Sequence, residues 1–254
     1  MTSLAFKTLG GEGPDVVLIH GYGSDRLSWL ATSPALMPLA RVHALDLAGH
    51  GESDMDVGDG SAAALAARVM ETLDTAGITR AHFVGHSLGG AISLHIAAEQ
   101  PERVASVSLI APLGLGRGVD ERFVAALPEL QDADQALVLL RKLVVKPVLI
   151  NKMTAQRAID QLNREGARDA FKTIGRALVA GQQGFAEAAQ KVADANIPRL
   201  TIWGGSDAIN PLDEAKLARF GGETLIIPDT GHLPQIEVMK AVNTRLAEFL
   251  GAQA

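Results

Sequence analysis

The chain has 254 residues, room for one large α/β domain or one domain with an insertion, and its 47% hydrophobic content can fill a sizeable core. A formal net charge of −6 argues against a nucleic-acid-binding surface, and the lack of cysteine excludes a disulfide framework, a zinc–thiolate site and a cysteine nucleophile. The opening MTSLAFKTLGG has no apolar core or small-residue cleavage site, and no run reaches the length of a membrane span, so a cytoplasmic location is expected.

Residues 4–9 can form an edge strand, and 10–15 are a Gly/Pro/Asp turn cluster. Residues 16–19 are a continuous apolar, β-branched run, as expected of a strand buried on both faces. That run ends in HGYG at 20–23, where a Gly-rich loop can turn backbone N–H groups inward. Residues 29–39 read as a short helix broken by Pro34 and Pro38, and 42–47 as the next strand. A polar turn, DLAGHGES at 46–53, follows; Asp46 and Ser53 there suit loop bracing better than catalysis. Residues 61–76 repeat apolar positions at helical spacing through Leu65, Val69 and Leu73, with Gly77 as the stop.

Residues 81–84 are a short apolar strand that breaks into Gly85-His86-Ser87-Leu88-Gly89, and 90–98 read as a helix ended by Pro101. Residues 104–111 are another buried strand. From about 120 to 195 the pattern is helical, charged and free of convincing strands, too long for a simple connection. Residues 117–195 are therefore expected to be a helical cap inserted into a core formed by 1–116 and 196–254. The strand pattern resumes at 197–204, ending in GGSD, and again at 224–227, ending in PDTGH. A final helix over 235–250 is expected to turn Ile236, Met239, Val242, Leu246 and Phe249 inward. The alternation predicts an α/β fold with a mostly parallel central sheet flanked by helices.

G-x-S-x-G between a strand and a helix is the nucleophile-elbow pattern. Its serine sits on a sharp, strained turn, and glycine two residues to either side removes the collisions that side chains would make. Leu88 N–H then lies at a helix start, where an unpaired donor and the helix dipole favour negative charge. Tyr22 N–H, in the loop after the first buried strand, is the expected second donor to an oxyanion. A serine hydroxyl needs a base. Of seven histidines, His86 adjoins Ser87 and is expected to point elsewhere. His43, His82 and His95 lie inside elements. His20 and His50 flank loops and suit structural roles. His232, in a Gly-His loop after the last strand, is the best base. Its orienting acid is expected to be Asp207, directly after a strand, with Asp229 and Asp213 as alternatives. The histidines show no metal-ligand spacing, so neither a metal nor another cofactor is expected.

With HGYG at 20–23, DLAGHGES at 46–53, GHSLGG at 85–90, GGSD at 204–207 and GH at 231–232, the chain resembles the α/β-hydrolase superfamily over nearly its full length. The resemblance implies Ser87 as nucleophile, Asp207 as acid, His232 as base, and the Tyr22 and Leu88 amides as oxyanion hole. LATSPALMPLARVHALDLAGHGES and GHSLGGAISLHIAAEQPERVASVSLIAPLGLG look most like the hydrolase-like C-terminal domain of acetoin dehydrogenase dihydrolipoamide acetyltransferase subunits. Those subunits carry an N-terminal lipoyl domain; with the first strands reached within about twenty residues, none is expected within this sequence. Three functions follow as expectations. One is a serine hydrolase that cuts a small ester, thioester or activated C–C bond through an acyl-enzyme. Another is an acyltransferase that passes the acyl group to a thiol on another chain, in association with a 2-oxo acid or acetoin dehydrogenase-type complex. The third is a non-catalytic binding module, against which the complete Ser-Asp-His set argues. Dehalogenation and epoxide opening use a carboxylate nucleophile where this chain has Ser87, and epoxide opening also uses cap tyrosines, whereas Tyr22 is the sole tyrosine.

Overall fold

The computed structural model describes residues 4–253. Seven strands form one sheet: β1 (Phe6–Gly10), β2 (Asp15–Ile19), β3 (Arg41–Leu45), β4 (Ala81–His86), β5 (Val104–Ile110), β6 (Arg199–Gly204) and β7 (Glu223–Ile227). Their spatial order is β1-β3-β2-β4-β5-β6-β7; β1 runs antiparallel to β3 and every other pair is parallel. The fold is thus the α/β arrangement that the strand–helix alternation predicts. Side chains along β2 alternate between faces, as a period of two requires. Val17 and Ile19 enter the larger hydrophobic core, while Val16 and Leu18 enter the one on the opposite face. Complete burial of each such side chain contributes about 1.5–3 kcal/mol.

The larger core is closed by α2 (Ala62–Thr75), α3 (Leu88–Glu99) and α8 (Gln182–Asp194). The opposite face is covered by α1 (Ser33–Leu36) and α11 (Met239–Gly251). Helix α3 is apolar all round because it packs against β4 and β5 and is also covered by α2 and α8. Chain order reverses between β2 and β4, which are neighbours in space. The loops leaving these two strands therefore diverge and open a crevice at the carboxyl edge of the sheet. Residues 20–23 and 85–89 both lie there.

Between β5 and β6 come α4 (Glu121–Ala126), α5 (Ala133–Leu140), α6 (Lys152–Leu162), α7 (Ala167–Ala180) and α8, with no strand among them. Helices α4 to α7 build a third hydrophobic cluster of their own, including Phe123, Leu140, Ile159 and Phe171. Residues 117–195 do not pack as a single body, however. Phe185, Ala188, Ala189 and Val192 of α8, and Ile174 and Leu178 of α7, join the core beneath the sheet.

Three local expectations change. Pro34 opens α1 instead of breaking a helix, because the first turn has no use for the N–H that proline lacks. The remaining helical turn of that region is a 3-10 segment at Arg26–Trp29, which Asp25 caps. Finally, the expected C-terminal helix is two helices, α10 (Pro234–Glu237) and α11, following α9 (Glu214–Phe220). Val238 between them has φ −136°, and the break resets the helical phase. Val242, Leu246 and Phe249 face inward as expected, but Met239 is 43% exposed and Ile236 only partly buried.

Candidate active site

Ser87 follows β4 directly and precedes α3, with φ 51° and ψ −110°. A non-glycine residue at positive φ costs of order 1–3 kcal/mol and persists only where its surroundings fix it. Here the Ser87 amide donates to Ile110 O (2.9 Å), and Ser87 O accepts from the amides of Ala91 (3.1 Å) and Leu113 (3.3 Å). The flanking glycines leave no alternative. A Cβ on Gly85 would lie 2.3 Å from Gly89 O, and one on Gly89 would lie 2.1 Å from Ile19 O.

His232 reaches the same crevice from the loop after β7. Its Nδ1 is 2.7 Å from Asp207 Oδ2. An ionised carboxylate only accepts, so Nδ1 carries the proton and Nε2 keeps its lone pair. Asp207 Oδ1 accepts from the amides of Ile209 and Asn210, both at 2.9 Å, which fixes the carboxylate in a turn at the end of β6. The two rival carboxylates lie elsewhere: Asp213 caps α9, and Asp229 is exposed. Ser87 and His232 line one cavity. Among the described residues, no hydrogen bond joins the Ser87 hydroxyl to the imidazole; such bonds often tighten only once substrate is bound.

The cavity holds about 390 Å³, and its walls are mainly apolar. Leu113 and Ile209 come from loops that follow β5 and β6; Phe123, Leu127, Leu140 and Ile150 come from the segment between β5 and β6 that holds the inserted helices. On the β2 side, the loop 20–23 is held in three ways. The Gly23 amide donates to His50 Nε2 (3.1 Å), the Tyr22 hydroxyl donates to Phe171 O (2.9 Å), and the Tyr22 ring packs on the Phe171 ring. Among the described residues, neither the Tyr22 nor the Leu88 amide is paired with an acceptor. Asp46 accepts from the amides of Arg26 (2.7 Å) and Glu52 (2.8 Å) and pairs with the Arg26 guanidinium, while Ser53 Oγ donates to Asp46 O, so both brace the 46–53 loop. No group of three or more His, Asp or Glu among the described residues is arranged to hold a metal ion.

His86 departs from its expected placement. Its ring lies in the cavity wall, 4.9 Å between centroids from the His232 ring, and its Nε2 donates to His232 O (2.9 Å). The turn at 85–89 places its ring against that of His232 instead of away from it. Two further groups, Asn210 and Glu237, had no local signal in the sequence, while His20 takes the structural role expected of it. Asn210 donates through its side-chain amide to Ala111 O and Pro112 O, pinning the β5 exit, where Ala111 has φ 45°. His20 Nε2 accepts from the Leu47 amide (3.0 Å), tying the 20–23 loop to the next strand's exit. Glu237 makes contacts described below.

His20, His50 and His86 are buried. Burial is the largest cause holding each imidazole below its usual range, and a neighbouring ring adds to the effect at His50 and His86, which are pushed down to about 3. The unfolded chain thus binds more protons than the folded one between about pH 6.5 and pH 3. Stability from His50 and His86 is complete above about pH 6.5 and falls as the pH drops toward 3, and burial acts in the same direction at His20. Urea unfolding at pH 7, 6 and 5 should give successively lower midpoints. Equal midpoints at pH 7 and 5 would show that the rings take up protons without unfolding.

Residues 16–245 match the model of the alpha/beta hydrolase family. The chain is 35% identical over 248 residues to the dihydrolipoyllysine-residue acetyltransferase component of the acetoin cleaving system of Pseudomonas putida, covering 97% of this chain and 66% of that protein. It thus spans just under two thirds of the length of that relative, and 65% of the Cupriavidus necator counterpart. It is 31% identical over 268 residues to a 2-hydroxy-6-oxononadienedioate/2-hydroxy-6-oxononatrienedioate hydrolase of Paraburkholderia phymatum, covering 97% and 90% of the two chains. A solved meta-cleavage product hydrolase of Pseudomonas fluorescens superposes with a TM-score of 0.85 at 24% identity, over 98% of this chain and 94% of that one, a likeness of fold. No helix among the described residues is long and apolar enough to cross a membrane. By the family model and the extent of these matches, the chain belongs to the alpha/beta hydrolase family.

Proposed function

We propose that this hydrolase is serine-dependent, with Ser87 as nucleophile, His232 as general base and Asp207 as the acid that orients it. The observation that carries the reading is a serine held at φ 51° in the wall of the cavity that also takes the Asp207-bound His232. His232 Nε2 accepts the Ser87 proton as Oγ attacks a carbonyl carbon, and Asp207 stabilises the resulting imidazolium. The tetrahedral oxyanion receives the amides of Leu88 and Tyr22; one such donor is typically worth 10²–10³ in kcat. His232 then returns its proton to the leaving atom, and the acyl group stays on Ser87. A water, deprotonated by the same imidazole, attacks the acyl carbon, and the imidazolium returns that proton to Ser87 Oγ as the acyl–oxygen bond breaks and the acid leaves. None of these steps requires a metal or other cofactor.

The mainly apolar walls fit a small, mainly apolar acyl group, carried as an ester, a thioester or one side of an activated C–C bond. Helices α4 to α6 and one face of α7 supply much of those walls and act as a cap over the core, whereas α8 and the other face of α7 serve the core itself. A second reading has support in the likeness to the acetyltransferase components: the acyl group passes to a thiol on another chain of a 2-oxo acid or acetoin dehydrogenase-type complex. The two differ only in the acceptor. A panel of short-chain esters, thioesters and vinylogous diketones, each run with and without dihydrolipoamide, separates them. Hydrolysis should release free acid at a rate that dihydrolipoamide leaves unchanged. Acyl-dihydrolipoamide as the main product would establish the second reading, and inertness toward the whole panel would sink both.

A further inference from the structure

Glu237 ends α10 with its side chain 9% exposed and its carboxylate shared between two distant segments. Oε1 accepts from the Gly231 amide (2.6 Å); Oε2 accepts from the amides of Val145 (2.8 Å) and Lys146 (3.2 Å). Beside it, the His232 amide donates to Leu143 O (2.8 Å). Residues 143–146 connect α5 to α6, and Leu143 lines the cavity. One carboxylate thus joins the roof of the cavity to the loop that carries His232.

We infer that Glu237 is a positioning residue for His232, clamping the 231–232 loop to the 143–146 segment; the inference rests on His232 being the base. The argument follows the bonds around His232. Its carbonyl is held by His86, its amide by Leu143, and its imidazole by Asp207. Asp207 is itself anchored by two amides of its own turn, and that turn is tied to the loop at Thr230, whose carbonyl accepts from the Ser206 amide (2.9 Å) one residue short of Gly231. The distance between acid and base is then set by where Gly231 and His232 sit. Gly231 has no room to compensate: a Cβ there would lie 2.7 Å from Leu143 O and 2.9 Å from Glu237 Oε1. Only a carboxylate suits position 237, because both oxygens must accept. A carboxamide has the same shape but turns one oxygen into a donor, which faces an N–H at one end of the clamp or the other.

The test is Glu237→Gln beside His232→Ala. Active sites are counted with a fluorophosphonate, so that unfolded molecules drop out. Turnover per titrated site should fall on the order of 10- to 100-fold in Glu237→Gln, the scale of a misplaced catalytic group. KM should change less than kcat, and the rise of kcat with pH should shift from its wild-type midpoint. The downfield proton resonance of His232 Nδ1–H should move as its bond to Asp207 lengthens. Unchanged turnover per site with an unmoved resonance and pH profile would reduce Glu237 to a structural residue and overturn the inference. His232→Ala separates the underlying reading, since activity surviving that change removes the base assignment whatever Glu237 does. If Glu237→Gln does not fold, hydrogen exchange on the unaltered protein decides. The amides of Gly231, Val145 and Lys146 should open together at one rate; a protected Gly231 beside freely exchanging Val145 and Lys146 would overturn the clamp.

Discussion

Ser87→Ala is expected to lower turnover on any accepted acyl substrate by a factor on the order of 10⁶ while leaving the fold intact. That is the scale seen when a triad nucleophile is removed and only binding and oxyanion stabilisation remain. Alanine can replace serine here without a new collision: the elbow is fixed by backbone hydrogen bonds at 87, by Gly85 and by Gly89, not by the hydroxyl. The same change should abolish covalent labelling by a fluorophosphonate, which phosphonylates an activated serine Oγ. Circular dichroism and the urea midpoint should stay within about 0.5 kcal/mol of the unaltered protein, as for a polar truncation that touches no packing. Labelling that persists in Ser87→Ala would place the nucleophile at another serine and dismantle the proposed mechanism.

Asp207→Asn is expected to cost on the order of 10⁴ in kcat, again with little loss of structure. Asparagine can keep an oxygen toward the amides of Ile209 and Asn210, which presently hold Oδ1 at 2.9 Å. Its NH2 group then faces His232 Nδ1. The ring must respond by accepting there, which moves its proton to Nε2 and leaves no lone pair for the Ser87 hydroxyl. The defect is thus one of tautomer, and raising the pH should not rescue it. Asp229→Asn supplies the control: Asp229 is exposed, so its effect should be within a few-fold. A larger loss at Asp229 than at Asp207 would mean that the 229–232 loop rearranges and that the wrong carboxylate is assigned.

The elements and the elbow were legible in sequence because their causes are local. A short, continuous, largely β-branched run such as 16–19 is what a strand buried on both faces requires, and it is one. Glycines at 85 and 89 mark a turn where a side chain cannot fit, and the backbone at Ser87 has the strain that pattern predicts. Asp207 and His232 each stand just after a strand, so an alternating pattern places both at one edge of the sheet, and the structure brings them within 2.7 Å. Even the local misreadings have local reasons. Pro34 looks like a breaker in sequence because sequence alone does not say whether a proline stands at the start of a helix or inside it. Met239 is exposed because it opens α11 just after the break at Val238, at the helix end, where the apolar spacing that turns Val242, Leu246 and Phe249 inward no longer guarantees cover.

What only the tertiary structure decided is carried by contacts between residues far apart in the chain. His86 bonds to a carbonyl 146 residues away, and Glu237 to amides 91 and 92 residues away. No periodicity or spacing encodes such pairs, because a buried polar side chain is specified by the groups that remain unpaired once the segments have packed. Where the inserted helices pack was likewise decided by the tertiary structure. Apolar faces at helical spacing look the same whether they line a cavity, as on α4, or close the core under the sheet, as on α8. The sequence by itself determined the fold, the strained serine and the order of the groups around it. Which side chains hold those groups in place, and what encloses the space above them, depended on surfaces that meet only when the chain is folded.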